Sequence, residues 1–408
     1  MSVHSPSLDT LFERHVAWTS DAPIGLTVER AEGPFIHLAD GRRLLDFISG
    51  IAVSSLGHRH PNVVRAIHEQ VDRHLHVMVY GEFVQRPQVE FAALLAGQLP
   101  PSLQVVYFCN SGTEANEGAL KLAKKYTRRC RLVAFERSYH GDTHGSLSVT
   151  GRAVYRDPYE PLLPEVTFLP FDDLDALDDI DETVACVITE PIQGEGGIRV
   201  PSEAWMRRLR ERCTETGTLL IFDEIQTGFG RTGTLFAFER FGVVPDILCL
   251  AKGMSGGMPM GAFVASREIF EAFRVDPPLS HVTTFGGHPV CCAAAHATLH
   301  TLLGENLPAR ALDIERHVRS RLIHPAIREV RGRGAMLGME VISREITARA
   351  VGLALERNVL LGWTLHSDTL VRLAPPLTIP FDVLDEALDV ILESLEHAHR
   401  EAQNGTQV

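Results

Sequence analysis

The stretch Leu220–Gly233 reads LIFDEIQTGFGRTG, and Pro245–Gly253 further along the chain reads PDILCLAKG. Each stretch contains a short run that is apolar throughout, which is typical of a strand covered on both faces of a sheet. Asp223 directly follows the first apolar run, and Lys252 follows the second after a step of 252 − 223 = 29 residues. Since ligands of open α/β sheets bind at the carboxyl ends of the strands, both residues are candidates for one site.

Similar apolar runs alternate with helical segments through the middle of the chain. The runs are Val105–Phe108, Leu132–Phe135, Val166–Leu169, Val184–Ile188, Leu219–Phe222, Ile247–Leu250 and Ala262–Val264. Helical segments between them include Glu114–Tyr126 and Glu203–Thr216. This alternation predicts a large α/β domain with a mostly parallel sheet.

The two ends of the chain have a different pattern. Near the N-terminus, Asp40-Gly41 separates Phe35–Leu38 from Leu44–Phe47, which predicts a β-hairpin because glycine accepts the positive φ of a tight turn. A helix is predicted to begin at Pro61. The C-terminal part is predicted to contain helices at Leu307–Ile323, at Ile346–Arg357 and from Phe381, a strand at Met336–Val341, and a frayed polar tail at His397–Val408. These patterns divide the chain into an N-terminal segment (1–60), a large domain (61–300) and a smaller α+β domain (301–408).

Composition excludes several functional classes. The 408 residues carry 52 acidic and 39 basic side chains, a formal charge of −13, so a nucleic-acid binder is not expected. No apolar run has the roughly 18–20 residues of a membrane helix, and the first residues do not resemble a secretion signal. The seven cysteines are scattered without a CxxC pair, which is typical of reduced thiols. We therefore expect a cytoplasmic protein without a membrane partner.

Polar residues follow other strand-like runs as well. Asn110–Glu114 leads from a strand into a helix, a natural anion site, although Ser111 with Glu114 also fits an ordinary capping box. Tyr139 and His140 follow another strand, where an aromatic ring taken alone favours core packing or a surface position. The loop Glu190–Gly197 is acidic and glycine-rich, but it lacks the G-x-G-x-x-G dinucleotide pattern.

These strand ends together provide an anion site, an aromatic ring, a carboxylate and an amine. Pyridoxal phosphate (PLP) requires this set, for its phosphate, its ring face, its pyridine nitrogen and its aldehyde respectively. The chain has four lysines against 39 − 4 = 35 arginines, and three of the four, Lys121, Lys124 and Lys125, fall on one helix with a predicted solvated face. Lys252 is therefore the candidate amine.

The two stretches quoted first closely resemble the signature of the class III (ω-amino) aminotransferases of PLP fold type I, and the resemblance extends over nearly the whole chain. It implies a large domain with a mostly parallel sheet and a smaller α+β domain formed by both chain ends. It also implies that Lys252 binds the PLP aldehyde and moves the catalytic proton, and that Asp223 pairs with the pyridine nitrogen. The other cofactor-binding residues that we assign are Ser111, Gly112, Thr113, Tyr139, His140, Glu190, Ile225, Gln226 and Thr284.

Within this set the resemblance implies more specific roles. Gly112 and Thr113 are expected to hold the phosphate, Tyr139 and Ile225 to cover the two ring faces, and Gln226 to lie near the phenolic oxygen. Thr284 is expected to reach the phosphate of a neighbouring subunit, which implies a homodimer.

Two further matches concern the substrates. Arg372 resembles the family arginine that binds an α-carboxylate, and its planar guanidinium suits bidentate binding. Glu195 resembles the residue that pairs with this arginine when no α-carboxylate is bound, so that one site accepts an ω-amino donor and then glutamate or 2-oxoglutarate. A permanent structural ion pair is the alternative. His58 and His60 do not form a convincing ligand set, and no metal is expected.

The main departure from the resemblance is at residue 142. Ornithine, acetylornithine and 4-aminobutyrate aminotransferases usually have an arginine here, whereas this chain reads Tyr139-His140-Gly141-Asp142-Thr143. That segment resembles diaminopelargonate aminotransferases instead. The expected function is amino transfer from an acetylornithine-, ornithine- or 4-aminobutyrate-like donor to 2-oxoglutarate. A diaminopelargonate-type enzyme or a PLP aminomutase or decarboxylase is the alternative, and a non-catalytic PLP-binding protein or a nicotinamide oxidoreductase is less favoured.

Overall fold

The computed structural model of the chain describes residues 7–79, 81–364 and 367–405. The helices are α1 (Leu8–His15), α2 (Ser49–Ala52), α3 (Pro61–Val71), α4 (Arg86–Ala96), α5 (Gly112–Thr127), α6 (His144–Ser148), α7 (Ala153–Arg156), α8 (Glu203–Thr216), α9 (Phe238–Phe241), α10 (Arg267–Arg274), α11 (Pro289–Gly304), α12 (Leu307–Arg321), α13 (Arg344–Glu356) and α14 (Phe381–Gly405). The strands are β1 (Val28–Glu32), β2 (Phe35–Leu38), β3 (Arg43–Asp46), β4 (Val105–Cys109), β5 (Arg131–Phe135), β6 (Val166–Leu169), β7 (Val184–Thr189), β8 (Leu219–Asp223), β9 (Ile247–Leu250), β10 (Gly261–Ala265), β11 (Ile327–Arg333), β12 (Met336–Val341), β13 (Val359–Leu360), β14 (Gly362–Thr364) and β15 (Ser367–Leu373). Short 3-10 turns lie at Asp157–Tyr159, Asp175–Asp179 and Lys252–Met254.

A seven-stranded sheet forms the centre of the fold, with strand order β4-β10-β9-β8-β7-β5-β6. All its strands are parallel except β10, which runs antiparallel to both β4 and β9. Strands β7, β8 and β9 are buried at every position, as their continuous apolar runs predict. The predicted α/β class with a mostly parallel sheet is confirmed.

Two four-stranded sheets involve the ends of the chain. The predicted hairpin β2–β3 is present, and β3 pairs in parallel with β13 through Leu45 and Val359. A second, antiparallel sheet has the order β11-β12-β15-β14. Because β13 belongs to the C-terminal part, its pairing with β3 is compatible with an N-terminal segment that joins the smaller domain. The division at residues 60 and 300 stays a prediction.

Two expectations about the C-terminal elements were incomplete or wrong. Only one C-terminal strand was expected, whereas the structure also has β11, β13, β14 and β15. The tail is not frayed from His397, since α14 continues to Gly405. Its apolar residues Ile391, Leu395 and Ala398 recur at helical spacing and are buried in the core, which stabilises the helix well beyond its middle. Residues 406–408 of the predicted tail lie outside the described part.

The helix that was expected to carry three solvated lysines is anchored by two of them. Lys125 Nζ donates to the carbonyl oxygen of Val275 at 2.6 Å and to Ser280 Oγ at 2.9 Å. Lys121 Nζ lies 3.0 Å from His281 Nδ1. These contacts tie α5 to the loop that precedes Thr284. Among the described residues, no helix combines the length and the apolar character that crossing a bilayer requires.

Candidate active site

A cavity of about 620 Å³ opens at the carboxyl ends of the central strands, a size typical of small-molecule sites. Eleven of the thirteen predicted site residues line it: Ser111, Gly112, Thr113, Tyr139, His140, Glu190, Glu195, Asp223, Ile225, Gln226 and Lys252. The two others, Arg372 and Thr284, do not line the cavity directly. Residues that are far apart in sequence meet here because parallel strands end at one edge of the sheet.

Asp223 is the last residue of β8 and is buried at the cavity floor. Its Oδ2 atom accepts a hydrogen bond from Asn116 Nδ2 at 2.8 Å and lies 2.8 Å from His140 Nδ1, and its Oδ1 accepts from the Ile225 backbone N–H at 3.0 Å. Buried carboxylates require such partners, because an unpaired charge is costly in the interior. The arrangement holds the carboxylate in one orientation, with its charge available to a cationic ring nitrogen.

Lys252 begins the 3-10 turn that follows β9, and it has a left-handed backbone conformation with φ of 45°. Burial lowers the pKa of its ammonium group below the ordinary value, and the neighbouring carboxylate of Glu195 partly opposes this effect. A lowered pKa increases the fraction of neutral amine, the form that attacks an aldehyde. These properties suit a nucleophilic amine.

The start of α5 forms the end of the cavity that suits a phosphate group. Ser111 caps the helix, since its Oγ accepts from the Glu114 backbone N–H at 3.3 Å. Glu114 does not complete an ordinary capping box, because its carboxylate accepts from the backbone N–H of Asn110 at 2.6 Å instead. At Gly112 an added Cβ would lie 2.8 Å from Ile225 Cδ1, so only glycine leaves the backbone accessible beside that side chain. The helix N-terminus is thus capped and still open to an anion.

Tyr139 and Glu190 form part of the cavity wall. The Tyr139 hydroxyl donates to Asp142 Oδ2 at 2.8 Å, and burial together with this carboxylate raises the pKa of the phenol far above its usual range. The Tyr139 backbone N–H donates to Glu190 Oε1 at 2.9 Å, and the Gly194 N–H donates to Glu190 Oε2 at 2.7 Å. Burial raises the pKa of Glu190 to about 7. Glu190 therefore joins the loop after β7 to the segment that carries the tyrosine.

Glu195, which lines the cavity, forms a buried ion pair with Arg372, which lies behind the cavity wall. Arg372 Nη2 donates to Glu195 Oε1, and Gln226 Nε2 donates to the same oxygen at 3.3 Å. Arg372 comes from β15, whereas Glu195 comes from the loop after β7, so the pair joins the C-terminal sheet to the central one. The geometry satisfies both sequence interpretations, a permanent structural pair and a pair that opens for a carboxylate.

Several residues of the site were not singled out from the sequence. Asn116 lies one helical turn after Gly112 and therefore on the same face of α5, a spacing that could have identified it. Thr143 and Ser146 both contact the Thr113 hydroxyl, and Glu117 accepts from Thr143 Oγ1 at 2.5 Å. Val53, Met258, Pro259 and Met260 also line the cavity. No sequence pattern marks these apolar residues, because their place depends on loops that fold over the sheet.

Thr284 and His58 have surroundings that bear on their predicted roles. Thr284 is exposed and lies outside the cavity of its own chain, and the following Phe285 is 55% exposed. His58 Nε2 lies 2.9 Å from Asp46 Oδ2, a buried carboxylate that also accepts from the backbone N–H of Ser49 at 2.8 Å. His58 therefore has a structural partner.

The residues of the cavity fit PLP in both shape and chemistry. Among the described residues, the buried atoms His140 Nε2 and Gln226 Oε1 have no hydrogen-bond partner, although they belong to the wall of the cavity. The capped helix start beside Gly112 suits a phosphate, the fixed carboxylate of Asp223 suits a pyridinium nitrogen, and the Lys252 amine suits an aldehyde. When bound, PLP supplies a ring that withdraws electrons from the substrate carbon attached to the amino group.

Comparisons with known proteins agree with this geometry. Residues 17–397 match the family model described as aminotransferase class-III. An acetylornithine aminotransferase of Methanopyrus kandleri is 45% identical over 376 residues, which cover 91% of this chain and 94% of that protein. The solved ornithine aminotransferase of Toxoplasma gondii has a TM-score of 0.89 at 30% identity and covers 97% of this chain and 94% of its own. An amine transaminase from an uncultivated Pseudomonas species, solved in its PLP-bound form, has a TM-score of 0.85 at 30% identity, with coverage of 94% and 97%.

These findings confirm the PLP fold type I architecture, PLP as the cofactor and aminotransferase activity. The chain belongs to the class III aminotransferase family.

Proposed function

We propose that this aminotransferase moves an amino group from an ω-amino donor to 2-oxoglutarate. The observation that carries the proposal is the Glu195–Arg372 pair, in which the charge of a guanidinium is neutralised next to a cavity wall. With the pair closed, the wall suits a donor that has no carboxylate beside the reacting amine. With Glu195 turned away, Arg372 is available for the α-carboxylate of glutamate or 2-oxoglutarate.

In this proposal each polar residue has a defined task. Lys252 Nζ would hold PLP through its aldehyde, and its amine would supply the base that moves a proton at the substrate carbon. Asp223 would pair with the ring nitrogen, and His140 with Asn116 holds the Asp223 carboxylate in place. The names of the relatives support the ω-amino class, since acetylornithine and ornithine aminotransferases are among those similar over most of the chain.

A panel of donors tested with two acceptors decides the proposal. Purified enzyme is incubated with acetylornithine, ornithine or 4-aminobutyrate and with either 2-oxoglutarate or pyruvate, and the glutamate or alanine formed is measured. Glutamate from at least one ω-amino donor is the expected result, and the Lys252→Ala variant should form none. Absence of glutamate with every donor would refute the acceptor assignment, and alanine alone would assign pyruvate.

We further propose that the enzyme is a cytoplasmic homodimer in which Thr284 binds the cofactor phosphate of the partner subunit. The exposure of Thr284 and its place outside its own cavity support a role across an interface. Exposed apolar side chains on α1, among them Leu8 at 68%, offer surface for a second copy. All seven cysteines are free, which suits a reducing compartment.

Mixed dimers test the cross-subunit role directly. A dimer of one Lys252→Ala chain and one Thr284→Ala chain contains one intact site if Thr284 acts on the partner's cofactor. It contains no intact site if Thr284 acts within its own chain. Recovery of normal PLP affinity in about half of the sites supports the proposal, whereas weak binding in every site would contradict it.

A further inference from the structure

The cavity wall contains four carboxylates, and three of them have partners that account for their charge. Asp223 is held by Asn116 and His140, and Glu195 is paired with Arg372. Glu190 accepts from two backbone N–H groups. The fourth carboxylate is Asp142, for which the proposed chemistry has no use.

Asp142 is an exposed residue on the cavity wall, and its Oδ2 accepts a hydrogen bond from the Tyr139 hydroxyl at 2.8 Å. Across the described ranges, no basic side chain forms an ion pair with it within 4.0 Å. Tyr139 does not neutralise the charge, because a phenol has no cationic form; burial and the neighbouring carboxylate raise its pKa, so it remains a neutral donor. Asp142 thus presents a net negative charge to whatever occupies the cavity.

The backbone on both sides of Asp142 is fixed, so the carboxylate cannot easily move away from the cavity. His140 is held through its carbonyl oxygen, which accepts from Asn116 Nδ2 at 2.7 Å. Gly141 has a φ of 129°, and an added Cβ there would lie 2.4 Å from Thr113 Oγ1. Thr143 donates from its hydroxyl to Glu117 at 2.5 Å. A charge on so constrained a segment favours one class of ligand and disfavours the opposite one.

We propose that Asp142 determines the donor specificity of this enzyme by pairing with a cationic group at the far end of the ω-amino donor. The preferred substrates are then aliphatic diamines, whose second ammonium group remains free, rather than donors that end in a carboxylate. A cation at the far end of the donor is attracted to this carboxylate, whereas a terminal carboxylate meets like charge. This inference rests on the proposed ω-amino function and specifies the donor of that same site.

Three primary amines with four carbons each test the charge at the far end. Butane-1,4-diamine, butan-1-amine and 4-aminobutanoate carry a positive charge, no charge and a negative charge there. The single-turnover reaction of PLP-loaded enzyme with each amine is followed by the change in cofactor absorbance, which gives kcat/KM without an acceptor. Butyltrimethylammonium and pentanoate, which cannot react, provide a binding readout as competitive inhibitors.

The substitution Asp142→Asn isolates the charge, because the asparagine oxygen still accepts the Tyr139 hydroxyl. We expect the preference for the diamine over 4-aminobutanoate to fall by about tenfold, the value of a hydrogen bond to a charged group, and butyltrimethylammonium to inhibit more weakly by a similar factor. Asp142→Arg should reverse the preference. The charge-matched control is Glu182→Gln, since Glu182 is exposed and precedes β7, at the opposite end of that strand from Glu190.

The outcomes separate the two proposals. The ratios of kcat/KM among the three amines are compared between wild type and Asp142→Asn. If these ratios differ by less than about twofold between the two enzymes, as for a screened surface charge, Asp142 has no role in specificity although the ω-amino function stands. If no amine reacts, the donor panel above decides the ω-amino function, and the inhibitors, tested on the single-turnover reaction with glutamate, still decide the role of Asp142. Equal inhibition of that reaction by butyltrimethylammonium in wild type and Asp142→Asn would then overturn it. A parallel change in Glu182→Gln would also overturn it.

Discussion

Replacing Glu195 by glutamine removes the negative charge that faces Arg372 behind the cavity wall. The new side chain has almost the same shape, and its amide oxygen can still accept from Arg372 Nη2 and from Gln226 Nε2. The substitution therefore changes the strength of the contact more than its geometry. It tests whether the pair opens during the reaction or is a permanent part of the fold.

The expected magnitude follows from the loss of charge. A hydrogen bond to a charged group contributes about 1.5–3 kcal/mol, against about 0.5–1.5 kcal/mol for a neutral pair. Opening the contact should therefore cost about 1–1.5 kcal/mol less in the variant, which lowers the KM for glutamate and 2-oxoglutarate roughly tenfold. Arg372 is only 3% exposed, so the loss of its charged partner should also lower the free energy of unfolding by about 1–3 kcal/mol. The variant should thus be less stable and yet bind dicarboxylates better.

The assay compares the single-turnover reactions with glutamate and with an ω-amine by cofactor absorbance, beside urea unfolding of the same preparations. The reaction with the ω-amine should become slower, because an uncovered guanidinium repels a cationic donor. The control is Glu340→Gln, which weakens a pair with Arg331 that measures 2.8 Å and lies outside the cavity lining. It should lose stability without any change in the KM for glutamate. An unchanged or higher KM for glutamate in Glu195→Gln would refute the switch and leave a structural ion pair.

The other predictions concern the cofactor residues and the buried acid beside them. After treatment with borohydride, mass spectrometry should detect PLP attached covalently to Lys124→Ala but not to Lys252→Ala. PLP attached to Lys252→Ala would show that another lysine is the nucleophile. Asp223→Asn should lower turnover by at least about a hundredfold. It should also lower the free energy of unfolding by about 1–3 kcal/mol, because the amide N–H of the new asparagine must face one of the three hydrogen-bond donors that now point at the Asp223 carboxylate. Near-normal steady-state turnover would exclude the pyridinium role. Lys125→Met removes the contacts that hold the loop before Thr284, so PLP titration should show weaker binding, and unchanged affinity would mean that the loop does not need this anchor. Burial raises the pKa of Glu190 from 4.5 to about 7, so the folded state binds more protons than the unfolded state between these pH values, and the free energy of unfolding falls by up to about 3 kcal/mol as the pH rises through that window. Glu190→Gln should reduce this fall in unfolding experiments between pH 5 and pH 8. An identical pH dependence in the variant would contradict the prediction.

Much of the site could be predicted from the sequence because its residues follow strands. A continuous apolar run identifies a buried strand, and the next polar residue then lies at the edge where ligands bind. This local rule was sufficient for Asp223, and with the scarcity of lysine it was sufficient for Lys252. The family resemblance extended the set to Glu195 and Arg372, which do meet.

Contacts between distant segments could not be predicted in this way. The spacing of Lys121 and Lys125 on α5 gives no sign that they anchor the loop before Thr284. A polar tail was expected to fray, because nothing local shows that Leu395 packs against the core. In each case the side chain contacts a residue that is distant in sequence or belongs to another part of the core. The stabilisation that the side chain provides depends on that contact.

Asp142 illustrates the same division within one residue. By itself the sequence determined that an aspartate stands at residue 142, and the family resemblance marked it as a departure from the arginine expected there. Only the tertiary structure decided that this carboxylate lines the cavity, accepts the Tyr139 hydroxyl and lies on a fixed segment. The physical reason is that strand ends and apolar periodicity are properties of the local chain, whereas the charge balance of a cavity is the sum over every segment that folding brings to its wall.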